Sequence, residues 1–225
     1  MSTYLTRRGQ LEEYFDRTAS QTWARLTSDA PVSGIRATVR AGRDRMRATL
    51  LSWLPEDLTG RRLLDAGCGT GALAVEAAKR GADVTAIDLA ASLVDVARER
   101  TPPGLQIDYR SGDMLDPSMG IFDYVVGMDS LIHYDAPDMA RTVAGLAGMA
   151  TRSVLFTFAP RTALLTVMWT MGRLLPRADR APAIEPIGPK DIQRRLKTEL
   201  PTWTIGRTQR IASGFYTSQA LELTK

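Results

Sequence analysis

One short stretch constrains the fold of this chain more than any other. Residues 62–66 read as a buried β-strand, Gly67, Gly69 and Gly71 follow as a turn, and residues 72–78 continue as an amphipathic helix. Glycine allows the backbone to turn sharply and to approach a ligand that any Cβ would push away. The next helix presents unpaired N–H groups and the positive end of its dipole at the same point. The stretch therefore predicts a nucleotide-type ligand site on an open α/β sheet.

The spacing of the glycines indicates which ligand binds there. A phosphate-binding P-loop needs Gly-Lys-Ser/Thr, and no lysine follows Gly71. A dinucleotide fold needs G-x-G-x-x-G, whereas Asp65 here lies two residues before alternating glycines. This D-x-G-x-G-x-G pattern resembles motif I of the class I S-adenosylmethionine-dependent methyltransferases. A carboxylate at the strand end suits the cationic amino group of that cofactor better than a pyrophosphate. A tight turn in an α/β domain without a ligand is the alternative.

Residues after the next two predicted strands extend this pattern. Asp88 closes the apolar strand 84–88, about twenty residues after the motif, where an acid accepts hydrogen bonds from ribose hydroxyls. In the methyltransferase interpretation, Asp113 faces the adenine amino group and Met114 packs against the ring. The resemblance implies S-adenosyl-L-methionine as cofactor and S-adenosyl-L-homocysteine as product. The implied cofactor-binding residues are Asp65, Gly67, Cys68, Gly69, Asp88, Leu89, Asp113, Met114, Met128 and Tyr14.

Charge and cysteine content narrow the class of protein. The chain of 225 residues carries a formal net charge of +4, which favours anionic partners. Its single cysteine, Cys68, excludes an intrachain disulfide and a zinc site built from cysteines. We expect Cys68 to be a small packed residue rather than a nucleophile, and we predict no metal site. The N-terminus lacks the apolar segment of a secretory signal, so we expect a cytoplasmic location.

The order of strand and helix patterns defines the expected architecture. From residue 61 strands and helices alternate, which implies a parallel sheet with right-handed crossovers, and two strands near 203–211 and 215–223 close the chain. We expect an α/β fold with the Rossmann-like seven-stranded sheet of a class I methyltransferase and helices on both faces. The expected segments are an N-terminal helical arm or cap (1–59), the cofactor-binding core (60–160), a lid or membrane-facing insertion after strand five (161–190), and the C-terminal helix with the closing strands (191–225).

Two segments leave alternatives open. The apolar part of residues 161–176 is shorter than the roughly 17–25 residues of a membrane-spanning helix. It reads as a core helix, a lid over an apolar substrate, or a segment lying in a membrane surface. The predicted helix 35–54 carries a run of arginines that forms either a solvated face or an anion-binding surface. These arginines are Arg36, Arg40, Arg43, Arg45 and Arg47.

Short motifs elsewhere in the chain narrow the family. Residues 131–134 (Leu-Ile-His-Tyr), 158–160 (Phe-Ala-Pro) and 215–218 (Phe-Tyr-Thr-Ser) resemble those of the magnesium-protoporphyrin IX O-methyltransferases of chlorophyll and bacteriochlorophyll synthesis. Tyr14-Phe15 extends the resemblance into the N-terminal arm. The chain departs from the family at residues 26–28, Leu-Thr-Ser, where relatives carry Ile-Tyr-Gly. A substrate contact by that tyrosine is therefore not transferred to this chain.

The resemblance implies that a propionate of magnesium-protoporphyrin IX is converted to its methyl ester. Such a carboxylic acid has a pKa of about 4.3 and is already ionised at neutral pH, so the enzyme aligns it and excludes water rather than deprotonating it. His133 then has three interpretations: a loop histidine bonded to backbone, a neutral donor that orients the carboxylate or an N-terminal lid group, or an axial contact to the substrate's magnesium. General base is the least favoured role. We expect Trp169 and Arg173 to join His133 in substrate binding.

The same resemblance implies a protein partner and a location. The partner is the porphyrin-carrying subunit of magnesium chelatase, and a peripheral contact with the photosynthetic membrane is an open possibility. Two features oppose a nucleic-acid methyltransferase: residues 129–132 replace the Asn/Asp-Pro-Pro-aromatic turn of amino-methylating enzymes, and no thiol for cytosine-C5 chemistry lies outside the glycine motif. Two alternatives stay open: an O-methyltransferase for another apolar small molecule, and a cofactor-binding scaffold without catalysis.

Overall fold

A computed structural model of the chain describes residues 6–9, Leu11, 34–161 and 184–225. Residues 12–33 of the predicted N-terminal arm and residues 162–183 of the predicted insertion lie outside the described residues. Three predicted ligand contacts lie there too: Tyr14, Trp169 and Arg173. The alternatives for the apolar segment after strand five therefore stay open.

Helices and strands alternate in the predicted order, and a hairpin closes the chain. The elements are α1 (Gly34–Ser52), β1 (Arg62–Ala66), α2 (Ala72–Lys79), β2 (Asp83–Asp88), α3 (Ala91–Arg100), β3 (Ile107–Ser111), β4 (Phe122–Gly127), α4 (Ala136–Gly148), β5 (Ala150–Phe158), α5 (Pro189–Glu199), β6 (Thr204–Ser213) and β7 (Tyr216–Thr224). A short 3-10 helix, Pro117–Met119, precedes β4. Strand β5 begins at Ala150, which pairs with Phe122 at the start of β4.

All strands form one seven-stranded sheet in the order β3-β2-β1-β4-β5-β7-β6. The first five strands are parallel to their neighbours, as the alternation with helices predicts. Strand β7 is antiparallel to both β5 and β6. The reason is local: only Gly214 and Phe215 separate β6 from β7, and a two-residue connection can join only antiparallel strands. The predicted fold class, a class I methyltransferase sheet, is confirmed.

Helices cover both faces of the sheet. On one face α1, α2 and α3 contribute buried side chains such as Met46, Leu73 and Val94 to one apolar cluster. On the other face α4 and α5 contribute residues such as Leu146 and Ile192 to a second cluster. Because both faces are covered, the central strands β1 and β4 are almost entirely buried and mostly apolar. In the described parts of the chain, no helix combines the length and the apolar character needed to cross a membrane.

The parallel strands determine where a ligand can bind. The carboxyl ends of β1, β2 and β4 meet at one edge of the sheet, where ligands of open α/β folds collect. The glycine turn follows β1, Asp88 ends β2, and residues 128–134 follow β4. Helix α1, which falls within the predicted arm, packs beside β6 and β7 and carries Arg40, Arg43 and Arg47 to the same edge. The cleft at this edge is therefore built from all of these elements.

Candidate active site

The turn between β1 and α2 is built from glycines in the left-handed backbone region. The φ angles are +84° at Gly67, +52° at Gly69 and +78° at Gly71. An added Cβ at Gly67 would lie 2.2 Å from the Cβ of Ser130, and one at Gly71 would lie 2.5 Å from the Tyr109 hydroxyl. At Gly69 a Cβ would meet nothing within 4 Å, because this residue faces the cleft. The turn thus presents bare backbone to a ligand, as the motif predicts.

Hydrogen bonds from β2 fix the shape of this turn. The N–H groups of Gly67 and Cys68 donate to the carbonyl oxygen of Ile87 at 2.8 and 3.0 Å. The Asp88 carboxylate accepts from the Gly69 N–H at 2.8 Å and from the Ala90 N–H at 3.0 Å. A carboxylate can accept about four hydrogen bonds. This structural role of Asp88 is therefore compatible with its predicted role towards ribose hydroxyls.

Asp65 is a buried carboxyl group at the end of β1. Its side chain is 2% exposed, and its Oδ2 atom has no hydrogen-bond partner among the described residues. Burial, together with the smaller effect of the nearby Asp88 charge, raises the pKa of Asp65 to about 7, and a hydrogen bond from the Ala74 backbone partly opposes this rise. A cationic donor beside Oδ2 would satisfy this atom and favour the ionised form. The site therefore fits the ammonium group of S-adenosylmethionine.

Two adjoining cavities of about 340 and 90 Å³ form the cleft above the turn. Residues shared by both cavities are Arg43, Gly67, Gly69, Leu93 and Met128. The larger cavity is also lined by the predicted cofactor residues Asp65 and Cys68. The smaller cavity is also lined by Asp88, Leu89 and Met114. The structure thus brings together most of the cofactor residues that the sequence predicts.

Among the predicted cofactor residues that the structure describes, Asp113 alone lines neither cavity. Its Oδ2 atom accepts a hydrogen bond from the Arg8 guanidinium at 2.6 Å, and its Oδ1 atom accepts from the Leu115 N–H at 3.0 Å. The carboxylate is therefore held by an N-terminal arginine that the sequence analysis did not single out. Its predicted contact with the adenine amino group stays a prediction.

Described N-terminal residues form part of the cleft wall. Leu11 is 4% exposed and lines the smaller cavity. Arg7 pairs with Glu185 at 3.1 Å, and the Glu185 N–H donates to the carbonyl oxygen of Ile132 at 2.9 Å. Through Glu185, these contacts connect the N-terminal residues to the segment that follows β4. The sequence gives no local signal for them because the ion pair joins residues 178 positions apart.

His133 lies in the wall of the smaller cavity, in the segment that follows β4. Its side chain is 7% exposed, and Ser130 and Tyr134 line the same cavity. Burial raises the pKa of Tyr134 to about 12, so its phenol is neutral at physiological pH. The predicted catalytic histidine and the predicted cofactor residues therefore border one cleft.

Cys68 has the properties of a packed residue of the turn. Desolvation raises the pKa of its thiol, and the charges of Asp65 and Asp88 raise it further. The thiolate is the nucleophilic form of cysteine, so this environment disfavours a nucleophilic role. This agrees with the role expected for Cys68 from the sequence.

The arginine run of α1 divides into two groups. Arg40, Arg43 and Arg47 follow helical spacing and line the larger cavity. Arg36 and Arg45 are exposed and do not line it. Part of the run therefore faces the cleft and part is a solvated surface, and the anion-binding role of the part that faces the cleft stays a prediction.

Asp129 is the functional candidate that the sequence analysis left without a role. It follows β4 with a φ of +55°, the only positive φ of a non-glycine residue in the described chain. Its side chain is 4% exposed, and it borders the smaller cavity beside His133. The sequence alone does not indicate this role, because the hydrogen-bond partners of Asp129 come from α1, β5 and β7, which are distant in the chain.

The sheet order, the glycine turn after β1 and the acids that end β1 and β2 together define a class I S-adenosylmethionine-dependent methyltransferase. Two sequence families match: one described as "Magnesium-protoporphyrin IX methyltransferase C-terminus" over residues 127–225 and one described as "Methyltransferase domain" over residues 63–151. A magnesium-protoporphyrin O-methyltransferase from Rhodobacter capsulatus is 49% identical over 98% of each chain. This chain belongs to the magnesium-protoporphyrin IX methyltransferase family, whose members are S-adenosylmethionine-dependent O-methyltransferases of chlorophyll and bacteriochlorophyll synthesis.

Solved structures agree with this assignment. Magnesium protoporphyrin IX methyltransferase from Synechocystis, with bound S-adenosylhomocysteine, superposes with a TM-score of 0.85 and 28% identity over 96% of this chain and 99% of that chain. A cyclopropane synthase from Mycobacterium tuberculosis superposes with a TM-score of 0.71 over 97% of this chain and 98% of that chain. At 13% identity, this second likeness shows the fold alone.

The open position of Gly69 yields a first prediction. In Gly69→Val the branched side chain fills the ligand side of the turn, so binding of S-adenosylhomocysteine should become undetectable by calorimetry. A matched control is Gly60→Val, because Gly60 also has a positive φ (+71°) and open space around its Cβ. Both variants should lose a similar amount of stability, roughly 1–2 kcal/mol, but Gly60→Val should bind like the wild type. Unchanged affinity in folded Gly69→Val contradicts the assignment of the turn.

The raised pKa of Asp65 yields a second prediction. Between its ordinary value of 3.8 and about 7, the folded protein holds a proton that the unfolded chain has lost, so this group's contribution to stability falls as pH rises through that window. An ammonium ligand favours the ionised form, so binding of S-adenosylhomocysteine should release a proton below pH 7. Affinity should rise up to about tenfold per pH unit and level off above pH 7.

Calorimetry in buffers of different ionisation enthalpy measures this proton release directly. Asp65→Asn cannot ionise and should show weaker binding with no pH dependence between pH 6 and 8. If wild-type binding at pH 6 releases no proton, Asp65 does not receive the ammonium group.

Proposed function

We propose that this chain transfers a methyl group from S-adenosylmethionine to a propionate carboxylate of magnesium-protoporphyrin IX, giving the monomethyl ester. The observation that carries the proposal is the cleft that His133 shares with Gly69, Asp88 and Met128. One buried imidazole thus borders the same cavity as the cofactor residues. The names of the relatives, among them the Rhodobacter capsulatus protein, support the identity of the acceptor.

Arginines outnumber acids in the lining of the larger cavity, which includes Arg40, Arg43, Arg47 and Arg100 beside Asp44, Asp65 and Glu76, and this excess supports an anionic acceptor. Arg40, Arg43 and Arg47 project from one side of α1 towards the larger cavity. A substrate with two propionates brings two negative charges, of which only one is removed by esterification. Arginine binds carboxylates through a planar fork of donors. We infer that this side of α1 attracts and orients the carboxylates.

Residues of this chain orient the reacting group and exclude water. S-adenosylmethionine, when bound, supplies a methyl group on a sulfonium centre. The acceptor carboxylate is ionised at neutral pH, since its pKa is about 4.3, so no residue has to remove a proton from it. His133 donates one N–H to hold the carboxylate in line, and Leu11, Leu89 and Met114 form apolar walls. Alignment of this kind lowers barriers by up to roughly 7–11 kcal/mol.

A prediction about His133 separates orientation from deprotonation. His133→Asn keeps a donor of similar reach and should retain a sizeable fraction of kcat. His133→Ala should lose about ten- to a hundredfold, equivalent to about 1.4–2.7 kcal/mol. Methyl transfer is measured with isotope-labelled cofactor and either magnesium-protoporphyrin or metal-free protoporphyrin as acceptor.

Each outcome of this assay decides between roles. Equal inactivity of the Asn and Ala variants contradicts the orienting role. An activity loss confined to the magnesium-bearing acceptor would instead indicate an axial contact to magnesium. Equal rates with both acceptors in the wild type would favour a less selective O-methyltransferase, and binding without transfer would leave a cofactor-binding scaffold.

We also propose a cytoplasmic location with a direct hand-over partner and a peripheral membrane contact. The acceptor is a flat apolar macrocycle, so transfer from the porphyrin-carrying subunit of magnesium chelatase avoids its release into water. The net charge of +4 favours contact with an anionic lipid surface. Magnesium-protoporphyrin bound to that subunit should be methylated faster than the same acceptor bound to serum albumin.

Flotation with vesicles tests the membrane contact. We expect the protein to bind vesicles rich in anionic lipid and not to bind neutral vesicles. Binding should also be lost at 0.5 M salt, because the Debye length falls to about 3–5 Å at this ionic strength. Equal recovery with neutral vesicles contradicts an electrostatic contact.

In the hand-over assay, equal methylation rates with acceptor bound to the chelatase subunit and with acceptor bound to albumin contradict direct hand-over.

A further inference from the structure

The bend after β4 is held by one buried carboxylate. Asp129 adopts a left-handed conformation, φ +55°, which is unfavourable for an L-residue and which, apart from glycine, Asp and Asn tolerate best. Such conformations persist where the surrounding structure over-determines them, and they concentrate at functional sites. The contacts of Asp129 therefore indicate which function this bend serves in the cleft.

Three elements converge on the Asp129 carboxylate. Arg43 of α1 donates to Oδ2 at 2.9 Å. Tyr216 of β7 donates its hydroxyl between both oxygens, at 3.1 Å from each, and Ser218 donates to Oδ1 at 3.2 Å. Burial and the Asp129 charge raise the pKa of Tyr216, so its hydroxyl stays protonated and able to donate. Side chains two residues apart on a strand share a face, which is why both β7 residues reach the carboxylate.

Thr157 of β5 completes the arrangement. Its hydroxyl accepts from the Asp129 N–H at 2.8 Å and donates to the Asp129 Oδ1 atom at 3.1 Å. Backbone and side chain of Asp129 are therefore fixed by the same hydroxyl. With this contact, the residue after β4 is tied to β5, β7 and α1 simultaneously.

The fixed bend places Ser130 against the glycine turn. The Cβ of Ser130 occupies the space that a Cβ on Gly67 would need, at 2.2 Å, and its Oγ lies 3.2 Å from the position of a Cβ on Gly127. This Oγ atom is buried and has no hydrogen-bond partner among the described residues. Ser130 and His133 both line the smaller cavity. A rotation at Asp129 would therefore move both groups relative to the cofactor turn.

We propose that Asp129 is a positioning residue of the active site. Its carboxylate, held by Arg43, Thr157, Tyr216 and Ser218, fixes the bend that directs Ser130 and His133 into the cleft. Asp129 also holds the Arg43 guanidinium at the boundary that the two cavities share. The activity readout of this proposal rests on the proposed function, so a second readout must be independent of the acceptor.

Asp129→Asn is the test variant, because asparagine keeps the size and tolerates the left-handed backbone but loses the charge that binds Arg43. Glu222→Gln is the matched control. Glu222 is also a buried carboxylate of the same sheet, 7% exposed, and it pairs with Arg207 through both oxygens. It lines neither cavity. Loss of charge should lower the melting temperature in both variants.

The two variants should differ in catalysis. Asp129→Asn should reduce kcat with magnesium-protoporphyrin by about ten- to a hundredfold while the affinity for S-adenosylhomocysteine changes less than threefold. Glu222→Gln should keep kcat within about twofold of the wild type. If Asp129→Asn loses only stability, as Glu222→Gln does, Asp129 is merely structural and the proposal is overturned.

A spectroscopic readout does not depend on the acceptor. The chain contains one histidine, so the imidazole Cε1–H signal in a proton NMR spectrum reports on His133 alone. This signal should shift or broaden in Asp129→Asn and stay unchanged in Glu222→Gln. An unchanged signal in both contradicts positioning, whatever the acceptor assay gives. A shifted signal in a protein whose wild type methylates no porphyrin would instead contradict the proposed function and leave the positioning role supported.

Discussion

A buried carboxylate, one of whose oxygens has no donor among the described residues, is the constraint on which this cleft depends. Asp65 ends a strand that is covered on both faces, and its Oδ2 atom has no hydrogen-bond partner among the described residues. An ion in such a place is costly unless it is paired. Burial accordingly raises the pKa of Asp65 to about 7. Asp65 therefore favours a cationic ligand at the point where the glycine turn exposes its backbone, and we infer that this ligand group is the ammonium group of the cofactor.

Two unusual backbone segments meet across the cleft, and each is held by a carboxylate. Asp88 accepts from the Gly69 N–H and fixes the glycine turn. Asp129 accepts from Arg43 and Tyr216 and fixes the bend after β4. The two segments interlock where Ser130 fills the space left by the missing side chain of Gly67. The glycine turn and the segment after β4 are thus in direct contact at the carboxyl ends of parallel strands.

The sequence predicts those parts of the molecule that local residues determine. Strand, glycine turn and helix follow from adjacent residues, and Asp65 and Asp88 follow because a strand end has a fixed place in an open sheet. The Asp129 contacts are different: Arg43, Tyr216 and Ser218 lie 86, 87 and 89 positions away, and only the docking of α1 and the hairpin order bring them together. The pairing of Arg8 with Asp113 across 105 positions was missed for the same reason. Helical spacing predicts which arginines of α1 share one side of the helix, but which side faces the cleft depends on how α1 packs beside β6 and β7.

The most direct test of the central claim is a crystal structure of the protein with S-adenosylhomocysteine. The account predicts that the amino nitrogen of the ligand lies about 2.7–2.9 Å from the Oδ2 atom of Asp65, the distance of a charge-assisted hydrogen bond. The backbone of Gly67 and Gly69 should contact the same part of the ligand. An amino group directed away from Asp65, with Oδ2 bonded to a donor of the protein, would contradict the account.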